Sequence, residues 1–129
     1  MAIEKQFSLF VQNKVGALSQ LCVGLSEAGV NIRAISVIDD LEWGIVRVIC
    51  DDADKTRQVL HDLGLMYGES QVLTAEIDNH PGALAELAAK LASKKINIEQ
   101  SYATACGDRA IIVISTTDDK KANSLIGKK

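Results

Sequence analysis

The sequence has little of several features that mark specialised classes of protein. Its 129 residues contain no apolar run long enough to cross a bilayer, and the opening MAIEKQF does not have the shape of a secretory signal. Its three cysteines are an odd number without a close pair, which argues against a disulfide framework and against thiolate zinc. We therefore expect a protein of the reducing cytoplasm without a membrane partner.

Basic charge and aromatic side chains are also scarce. The formal net charge is −3, and the aromatic residues are two Phe, two Tyr and one Trp. Nucleic-acid binding draws on a basic patch for the phosphates and often on aromatic side chains for the bases. The composition therefore makes a nucleic acid an unexpected partner.

What the chain does contain is an internal repeat with an offset of 66 residues. NKVGALSQLCVGL begins at residue 13 and NHPGALAELAAKL at residue 79, and 8 of 22 positions are identical between 13–34 and 79–100. Duplication is the simplest explanation. We assign a first domain to residues 1–68 and a second to 69–129. A unit of this size buries only roughly 60% of its unfolded surface, so we expect the two to pack together into paired sheets.

The same succession of local patterns occurs in both copies. FSLFVQ alternates apolar and polar residues as a half-buried strand does, and the apolar residues that follow NKVG recur at helical spacing. Gly29 stands where a helix commonly ends in a left-handed residue, whereas the second copy has Lys95 there and is expected to end its helix differently. The order strand, helix, strand, strand, helix predicts an α+β fold of two ferredoxin-like βαββαβ units, each with its helices on one face.

The last strand of each unit is the difficulty in this interpretation. Only residues 65–70 remain for it in the first copy, and the second copy runs out at IGKK. The fourth strand is therefore short, shared or absent, and it is apparently missing from copy two. Because an uncovered edge at VLTAEI would need protection, we expect a homodimer or a higher oligomer.

The two turns before the first helix of each copy are the candidate binding sites. A helix that begins at Gly16 or Gly82 directs unpaired N–H groups and a positive dipole end at any ligand over the turn, which suits a carboxylate. Asn13 and Asn79 add amide donors and a carbonyl acceptor, so the set fits an α-amino acid. Asn, Pro and Gly are also ordinary turn and cap residues, so a purely structural role stays open.

Other candidates favour structural roles. Asp51, Asp52 and Asp54 could suggest a metal site, but Asp118 and Asp119 recur at the equivalent helix start, which favours helix capping. No catalytic signature and no phosphate-binding loop is apparent. We expect no metal, no cofactor and no enzymatic activity.

The turn pattern NHPGAL, its variant NKVGAL, and the "NI" that opens the next strand in each copy resemble the ACT domain, a small ligand-sensing module of amino-acid metabolism. Val15 departs from the family's usual proline. The resemblance implies that an amino acid binds where two units meet, at the turn after strand one and the start of strand two. The residues it nominates, with Asn79 opening the second turn, are Asn13, Val15, Gly16, Ala17, Leu18, Asn31, Asn79, His80, Pro81, Gly82, Ala83, Leu84 and Asn97.

Three functional hypotheses follow. The first is a non-enzymatic amino-acid sensor whose ligand controls an enzyme or a transporter, which requires that the ligand favour one state over the other. The second is a regulatory subunit or interaction module that binds a partner enzyme without a ligand of its own. The third, a small enzyme such as an acylphosphatase, needs a phosphate-cradling loop with an arginine after strand one, and neither NKVG nor NHPG supplies it.

Overall fold

The computed structural model describes residues 2–12, 14–40 and 43–126. The order strand, helix, strand, strand, helix occurs twice, as the sequence predicts. The elements are β1 Ala2–Gln12, α1 Ala17–Glu27, β2 Ile32–Asp40, β3 Trp43–Cys50, α2 Ala53–Asp62, β4 Met66–Asp78, α3 Ala83–Ser93, β5 Ile98–Cys106, β6 Arg109–Thr116 and α4 Asp119–Ile126.

Two compact units divide the chain, and the division falls inside two strands. The first unit is Lys5–Ser70, and the second comprises the residues from Gln71 onward together with residues 2–4. The first part of β4 therefore belongs to the first unit, and the first part of β1 belongs to the second. The sequence left the place of the fourth strand open. It is shared, because β1 and β4 each contribute residues to both units.

In the first unit, the sheet order is β2-β3-β1 with the start of β4 beside β1. The β1–β3 and β2–β3 pairs are antiparallel, with Phe7 of β1 and Ile35 of β2 both opposite Val48 of β3. Tyr67 of β4 contacts Phe7, with ring centroids 5.9 Å apart. Residues 66–70 thus form the short fourth strand in the position that the ferredoxin-like order requires.

The core of the first unit follows from strand alternation and helical spacing. Phe7, Leu9 and Val11 lie on one face of β1 because successive strand residues point to opposite faces, and all three are buried. Against this face pack Leu25 of α1 and Leu60 of α2, which are almost fully buried. Full burial of such a side chain contributes about 1.5–3 kcal/mol, so these contacts hold both helices on the sheet.

The second unit repeats this arrangement with the sheet order β5-β6-β4. Leu73 lies opposite Ile114 in the β4–β6 pair, and both are fully buried in a core with Leu91 of α3. In the part of the chain that the structure describes, no strand follows α4. The place beside β4 is taken instead by residues 2–4, where the carboxylate of Glu4 accepts a hydrogen bond from the Thr74 hydroxyl.

This pairing corrects one premise of the sequence analysis. The edge at VLTAEI was expected to be open, which was the reason to expect an oligomer. Residues 2–4 lie beside that strand within the second unit, because the N-terminal extension of β1 runs past Lys5. An uncovered β4 edge therefore gives no argument for self-association.

The first helix of each unit ends in the same way. Gly29 has φ +74°, and Lys95 adopts φ +59° at the equivalent position. The next residues, Val30 and Ile96, each donate a backbone hydrogen bond to the equivalent leucine carbonyl of the helix, at 2.9 and 3.0 Å. The expectation that the second helix ends differently is wrong, because burial of Ile96 requires the same left-handed turn whichever residue precedes it.

Two of the acidic residues before the second helices, Asp52 and Asp118, are helix caps, as the sequence favours. Asp52 accepts a hydrogen bond from the Lys55 amide at the start of α2, and Asp118 accepts one from the Lys121 amide at the start of α4, both at 3.0 Å. Asp51 accepts from the Asn31 amide. Each of these three carboxylates thus accepts a hydrogen bond from a backbone N–H group, and they do not converge on one another.

Candidate functional site

The turn between β1 and α1 presents an uncapped helix start. Gly16 has φ +88°, and no side chain among the described residues caps the helix. The amide of Ala17 reaches the Lys14 carbonyl at 3.3 Å, and the amide of Gln20 makes the first regular helical bond to Gly16. The amides of Leu18 and Ser19, in between, have no acceptor within the helix and carry its positive dipole end.

A cavity of about 570 Å³ lies directly beside this helix start, inside the first unit. Its walls come from four places in the chain: the end of β1, the first turns of α1, the start of β3, and the connection from α2 to β4. The polar lining residues are Gln12, Lys14 and Gln20. The remaining lining residues are Gly64 and the apolar side chains Phe10, Val11, Ala17, Leu21, Trp43, Leu63, Leu65 and Met66.

Several of these apolar side chains are unusually accessible. Met66 is 74% exposed and Trp43 is 50% exposed, and Phe10 and Leu63 are each more than 40% exposed. Single exposed apolar residues are ordinary on protein surfaces, but four around one concavity form the kind of patch that marks a binding site. A bound molecule of moderate size would remove their apolar surface from water.

The equivalent turn of the second unit has the same backbone. Gly82 has φ +92° and begins α3 without a side-chain cap among the described residues. Because Gly16 and Gly82 match so closely, Val15 in place of Pro81 does not change the turn. Positive φ is itself a reason for glycine at both positions, whatever a ligand requires. A Cβ at either position would meet no described protein atom within 4 Å, so the space over each turn is open.

The asparagine of the second turn has a structural function. The Asn79 amide Nδ2 donates to the Gly107 carbonyl at 2.8 Å, and the Asn79 backbone N–H donates to the Asp108 carbonyl at 2.8 Å. These bonds tie the turn to the β5–β6 hairpin. No described residue donates a hydrogen bond to the side-chain carbonyl of Asn79, and its counterpart Asn13 lies outside the described residues.

His80 is likewise engaged within its own loop. Its Nδ1 donates to the Pro81 carbonyl at 2.9 Å, which orients the exposed ring along the turn. The remaining nominated residues beside these turns are partly or fully exposed: Val15, Leu18 and Leu84 are exposed, and Ala17 and Ala83 line the two recesses.

A second recess, of about 650 Å³, lies beside the α3 start. Six of its lining residues are the 66-residue counterparts of residues that line the first cavity, and the three polar ones among them differ in chemistry. Where the first cavity has Trp43, the second unit has Arg109, which donates to Glu76 at 3.2 Å and forms a second ion pair with Asp78. The hydrogen bond to Glu76 is the main reason that the pKa of Arg109 is raised. The lining residues are Ile77, Asp78, His80, Ala83, Glu86, Leu87, Ala89 and Lys90.

The structure does not bring Asn31 to the turn of its own unit. Asn31 precedes β2, whereas Gly16 follows β1, and the register places the end of β1 beside the far end of β2. The two residues are therefore about 30 Å apart, since the 9 residues of β2 rise about 3.3 Å each. Asn97 is placed in the same way in the second unit.

The backbone of each of these asparagines is bonded to the loop after the third strand. Asn31 donates its N–H to the Asp51 carboxylate at 3.0 Å and accepts the Asp51 N–H at 3.1 Å. Asn97 exchanges equivalent bonds with the hydroxyl and N–H of Thr117, both at 3.1 Å. Both residues are exposed, so their side chains face solvent at the start of a strand.

Sequence reasoning found the helix start but missed most of the cavity beside it. Trp43 and residues 63–66 lie far from NKVG along the chain, and only the fold brings them there. The one available signal was chemical: the single tryptophan of the chain follows the polar run DDLE, where a buried role is unexpected.

Clusters of metal ligands and membrane-spanning helices are features of the chain itself that bear on function, and the described residues contain neither. No group of three or more His, Cys, Asp or Glu side chains is arranged to hold a metal ion. No helix in that part of the chain is both long enough and apolar enough to span a membrane.

Comparison with known proteins identifies relatives over the whole chain. The sequence matches the family described as an ACT domain pair over residues 1–129. Among curated proteins, no sequence matches this chain. A crystal structure of a protein from Bacteroides thetaiotaomicron is similar, with 28% identity and a TM-score of 0.90 over 98% of this chain and 88% of that one.

More distant structures share the fold. The ligand-free regulatory subunit of aspartate kinase from Thermus thermophilus is 15% identical, with a TM-score of 0.74 over 98% of this chain and 94% of that one. E. coli aspartokinase III in complex with lysine and aspartate is 13% identical, with a TM-score of 0.60 over 99% of this chain and 32% of that one. At such identities the likeness concerns the fold alone.

Proposed function

Because the chain belongs to the family of ACT domain pairs, we propose that it is a non-enzymatic regulatory protein that binds a free amino acid at the β1–α1 turn. Through this ligand it controls an enzyme or a transporter of amino-acid metabolism. The observation that carries the proposal is the uncapped start of α1 at the wall of a 570 Å³ cavity. Cavities of roughly 300–1,000 Å³ hold small ligands.

The groups at this turn complement both charges of an amino acid. The carboxylate accepts hydrogen bonds from the amides of Leu18 and Ser19 at the positive end of α1. Lys14 lines the same cavity and adds a cation. The ammonium group donates to the side-chain carbonyls of Gln12 or Gln20, which lie on the lining as well.

The solved neighbours support a regulatory function. Two of them, from Thermus thermophilus and Thermus flavus, are regulatory subunits of aspartate kinase, and the structure of E. coli aspartokinase III holds lysine and aspartate. Because these chains share the fold with ours, a regulatory partner enzyme is part of the proposal. Free thiols at Cys22 and Cys50 suit the reducing cytoplasm that we propose as its location.

We propose that Asn31 and Asn97 contribute to a ligand site on a second copy of the chain. Each lies at the far end of its own unit, so neither serves the turn of that unit. A homodimer or higher oligomer that places a strand start of one copy over a turn of another would bring an amide side chain to the ligand. Sedimentation with and without ligand tests this, and a monomer under both conditions would remove these two residues from the site.

A thermal-shift screen against the twenty amino acids tests the function. A ligand that binds only the folded state raises its stability with the logarithm of its concentration. We expect at least one amino acid to raise the melting temperature in a saturable way. If none does, the sensor proposal fails, and the interaction module without a ligand becomes the better account.

The glycine of the turn allows a matched test of the site. A methyl group from Gly16→Ala would occupy the open space over the helix start, but it also strains a backbone at φ +88°. Gly29→Ala imposes similar strain at φ +74°, also in open space, at the far end of α1. We expect Gly16→Ala to weaken ligand binding at least tenfold more than Gly29→Ala does, by calorimetry. Equal losses of affinity in the two variants would show that the turn has a purely structural role.

A further inference from the structure

We infer that the cavity of the first unit selects an L-amino acid with a large apolar side chain, of the size of leucine, methionine or phenylalanine. This inference rests on the proposed function and adds the class of ligand. It depends on the walls of the cavity rather than on the helix start, which recognises only the groups that all amino acids share.

The walls supply apolar contact and no counter-charge for a basic side chain. Of the described residues that line the cavity, eight are apolar and none is acidic, and Lys14 is the single charged one. A lysine or arginine ligand would bury its cation beside Lys14 without a partner, which is strongly unfavourable. An aspartate or glutamate ligand would bury a second carboxylate among apolar walls, because the helix end and Lys14, the single lining cation, already bind the α-carboxylate.

The exposure of the lining indicates where the side chain goes. Trp43 and Met66 border the cavity and are at least half exposed, whereas Val11 and Leu21 at its inner wall are almost fully buried. An apolar ligand side chain between these two layers removes the accessible surfaces of Trp43 and Met66 from water. A small side chain such as that of alanine would leave most of this surface exposed, and a hydroxyl would find few partners.

The second unit provides an internal contrast on the same fold. Its recess carries Asp78, Glu86 and Lys90, and Arg109, at the position equivalent to Trp43, forms an ion pair with Asp78. An apolar side chain placed there would desolvate charged groups without replacing their hydrogen bonds. The apolar ligand is therefore expected in the first unit and not in the second.

Calorimetry on the full chain tests the ligand class directly. The probes are L-leucine, L-methionine and L-phenylalanine against L-lysine, L-aspartate and L-threonine. Isoamylamine and 4-methylpentanoate, which carry the leucine side chain but lack the carboxylate or the ammonium group, are the matched controls. We expect at least one large apolar amino acid to bind at least tenfold more tightly than all three polar ones and than both controls.

Each other outcome overturns a defined part of this account. Tighter binding of lysine, aspartate or threonine would refute the apolar selectivity while leaving an amino-acid sensor in place. Equal binding of leucine and its two controls would leave an apolar cavity but refute amino-acid recognition. Binding of none of the probes refutes the inference, and the screen of all twenty amino acids then decides whether the proposed function fails with it.

A pair of surface variants locates the binding. Met66→Glu puts a carboxylate on the cavity border at a side chain that is 74% exposed, so the fold tolerates it. Val23→Glu makes the same change at a residue of α1 that is 51% exposed and does not line the cavity. We expect at least a tenfold loss of affinity for Met66→Glu and less than a twofold change for Val23→Glu. Equal affinities of the two variants would place the ligand elsewhere.

Discussion

The two units of this chain have the same elements and the same helix turns, but different chemistry beside those turns. The buried leucines of α1 and α3 keep their identity across the 66-residue offset, whereas several residues beside the helix turns do not. Leu25 and Leu91 are both buried, and both turns have a left-handed glycine. The replacements are Gln12 by Asp78, Lys14 by His80, Gln20 by Glu86 and Trp43 by Arg109.

This difference shows which positions the fold constrains. A buried leucine in a packed core tolerates little change, because lost volume leaves a cavity. A residue on the wall of an open recess has no such constraint, so two copies of one fold can acquire different recognition surfaces. The fold is common to both units, and any selectivity for ligands belongs to each unit separately.

Truncation of a core leucine tests whether the two cores are equivalent, and it should have the largest effect on stability. Leu25→Ala and Leu91→Ala change equivalent positions of α1 and α3, which are 1% and 0% exposed. Each should lower the free energy of unfolding by about 2–5 kcal/mol in chemical denaturation. Leu84→Ala, at a residue that is 48% exposed, is the control and should cost about 1 kcal/mol or less. A loss in only one unit would show that the cores are not equivalent.

Substitution of Trp43 tests whether the wall of the first cavity determines ligand selectivity. Trp43→Arg gives the first cavity the side chain that the second unit has at Arg109, and it removes a large apolar contact surface. We expect the affinity for the apolar amino acid to fall by at least tenfold, or about 1.4 kcal/mol, in calorimetry. Arg109→Trp is the reciprocal control and should leave that affinity unchanged. An unchanged affinity in Trp43→Arg would contradict the role of this wall.

The free energy of unfolding of the first unit should depend on pH, because an ion pair holds its fourth strand. Arg57 of α2 donates two hydrogen bonds of 2.8 Å to Glu69 and lies over the Phe7 ring. These bonds are the main reason that the pKa of Glu69 lies below its ordinary value of 4.5. Because the pKa is lower in the folded state, the stabilisation is complete above the unfolded pKa and is lost as the pH falls through the folded one.

Glu69→Gln should therefore reduce stability at pH 7, and the difference from the parent should shrink below about pH 4.5, near the ordinary pKa of glutamate. Denaturation at a series of pH values measures it, with Glu27→Gln on α1 as the control. A difference that stays constant down to pH 2 would show that the carboxylate of Glu69 is not the titrating group. The second unit attaches its fourth strand through Glu4 and Thr74 instead.

A substitution at the C-terminal end of α3 should have the smallest effect on stability. Lys95 adopts φ +59°, which is unfavourable for a residue with a Cβ, and Gly29 shows the residue that suits this position. Lys95→Gly should raise the free energy of unfolding by up to about 1 kcal/mol, since relief of strain is partly offset by the freer unfolded chain. Lys94→Gly, at φ −105°, relieves no such strain and should not stabilise. Equal effects of the two changes would contradict the strained geometry of Lys95.

Much of the fold could be predicted from local patterns, and the failures have physical causes. Alternation in FSLFVQ and helical spacing after NKVG predicted the element order, because they reflect which face is buried. They could not show that β4 serves both units, since a strand's partners are chosen in the tertiary fold. For the same reason, Lys95 appeared to end its helix differently until burial of Ile96 showed why it does not.

The candidate site was predictable only in part. The glycine turns recur in the sequence, so the helix starts were found and the positive φ angles agree with glycine at both. Asn31 was nominated with them, yet its own unit places it at the opposite end of the sheet. Trp43 and residues 63–66 were missed because a cavity assembled from four separate elements leaves no spacing in the sequence.

The most direct test of the central claim is a ¹⁵N–¹H NMR titration of the full chain with the tightest-binding of L-leucine, L-methionine and L-phenylalanine. The account predicts saturable shifts of backbone amides in residues 14–21, with the largest at Leu18 and Ser19. The equivalent amides in residues 80–87 should shift much less. Saturable binding that leaves residues 14–21 unshifted, or that shifts both segments equally, would contradict an apolar amino-acid site in the first unit.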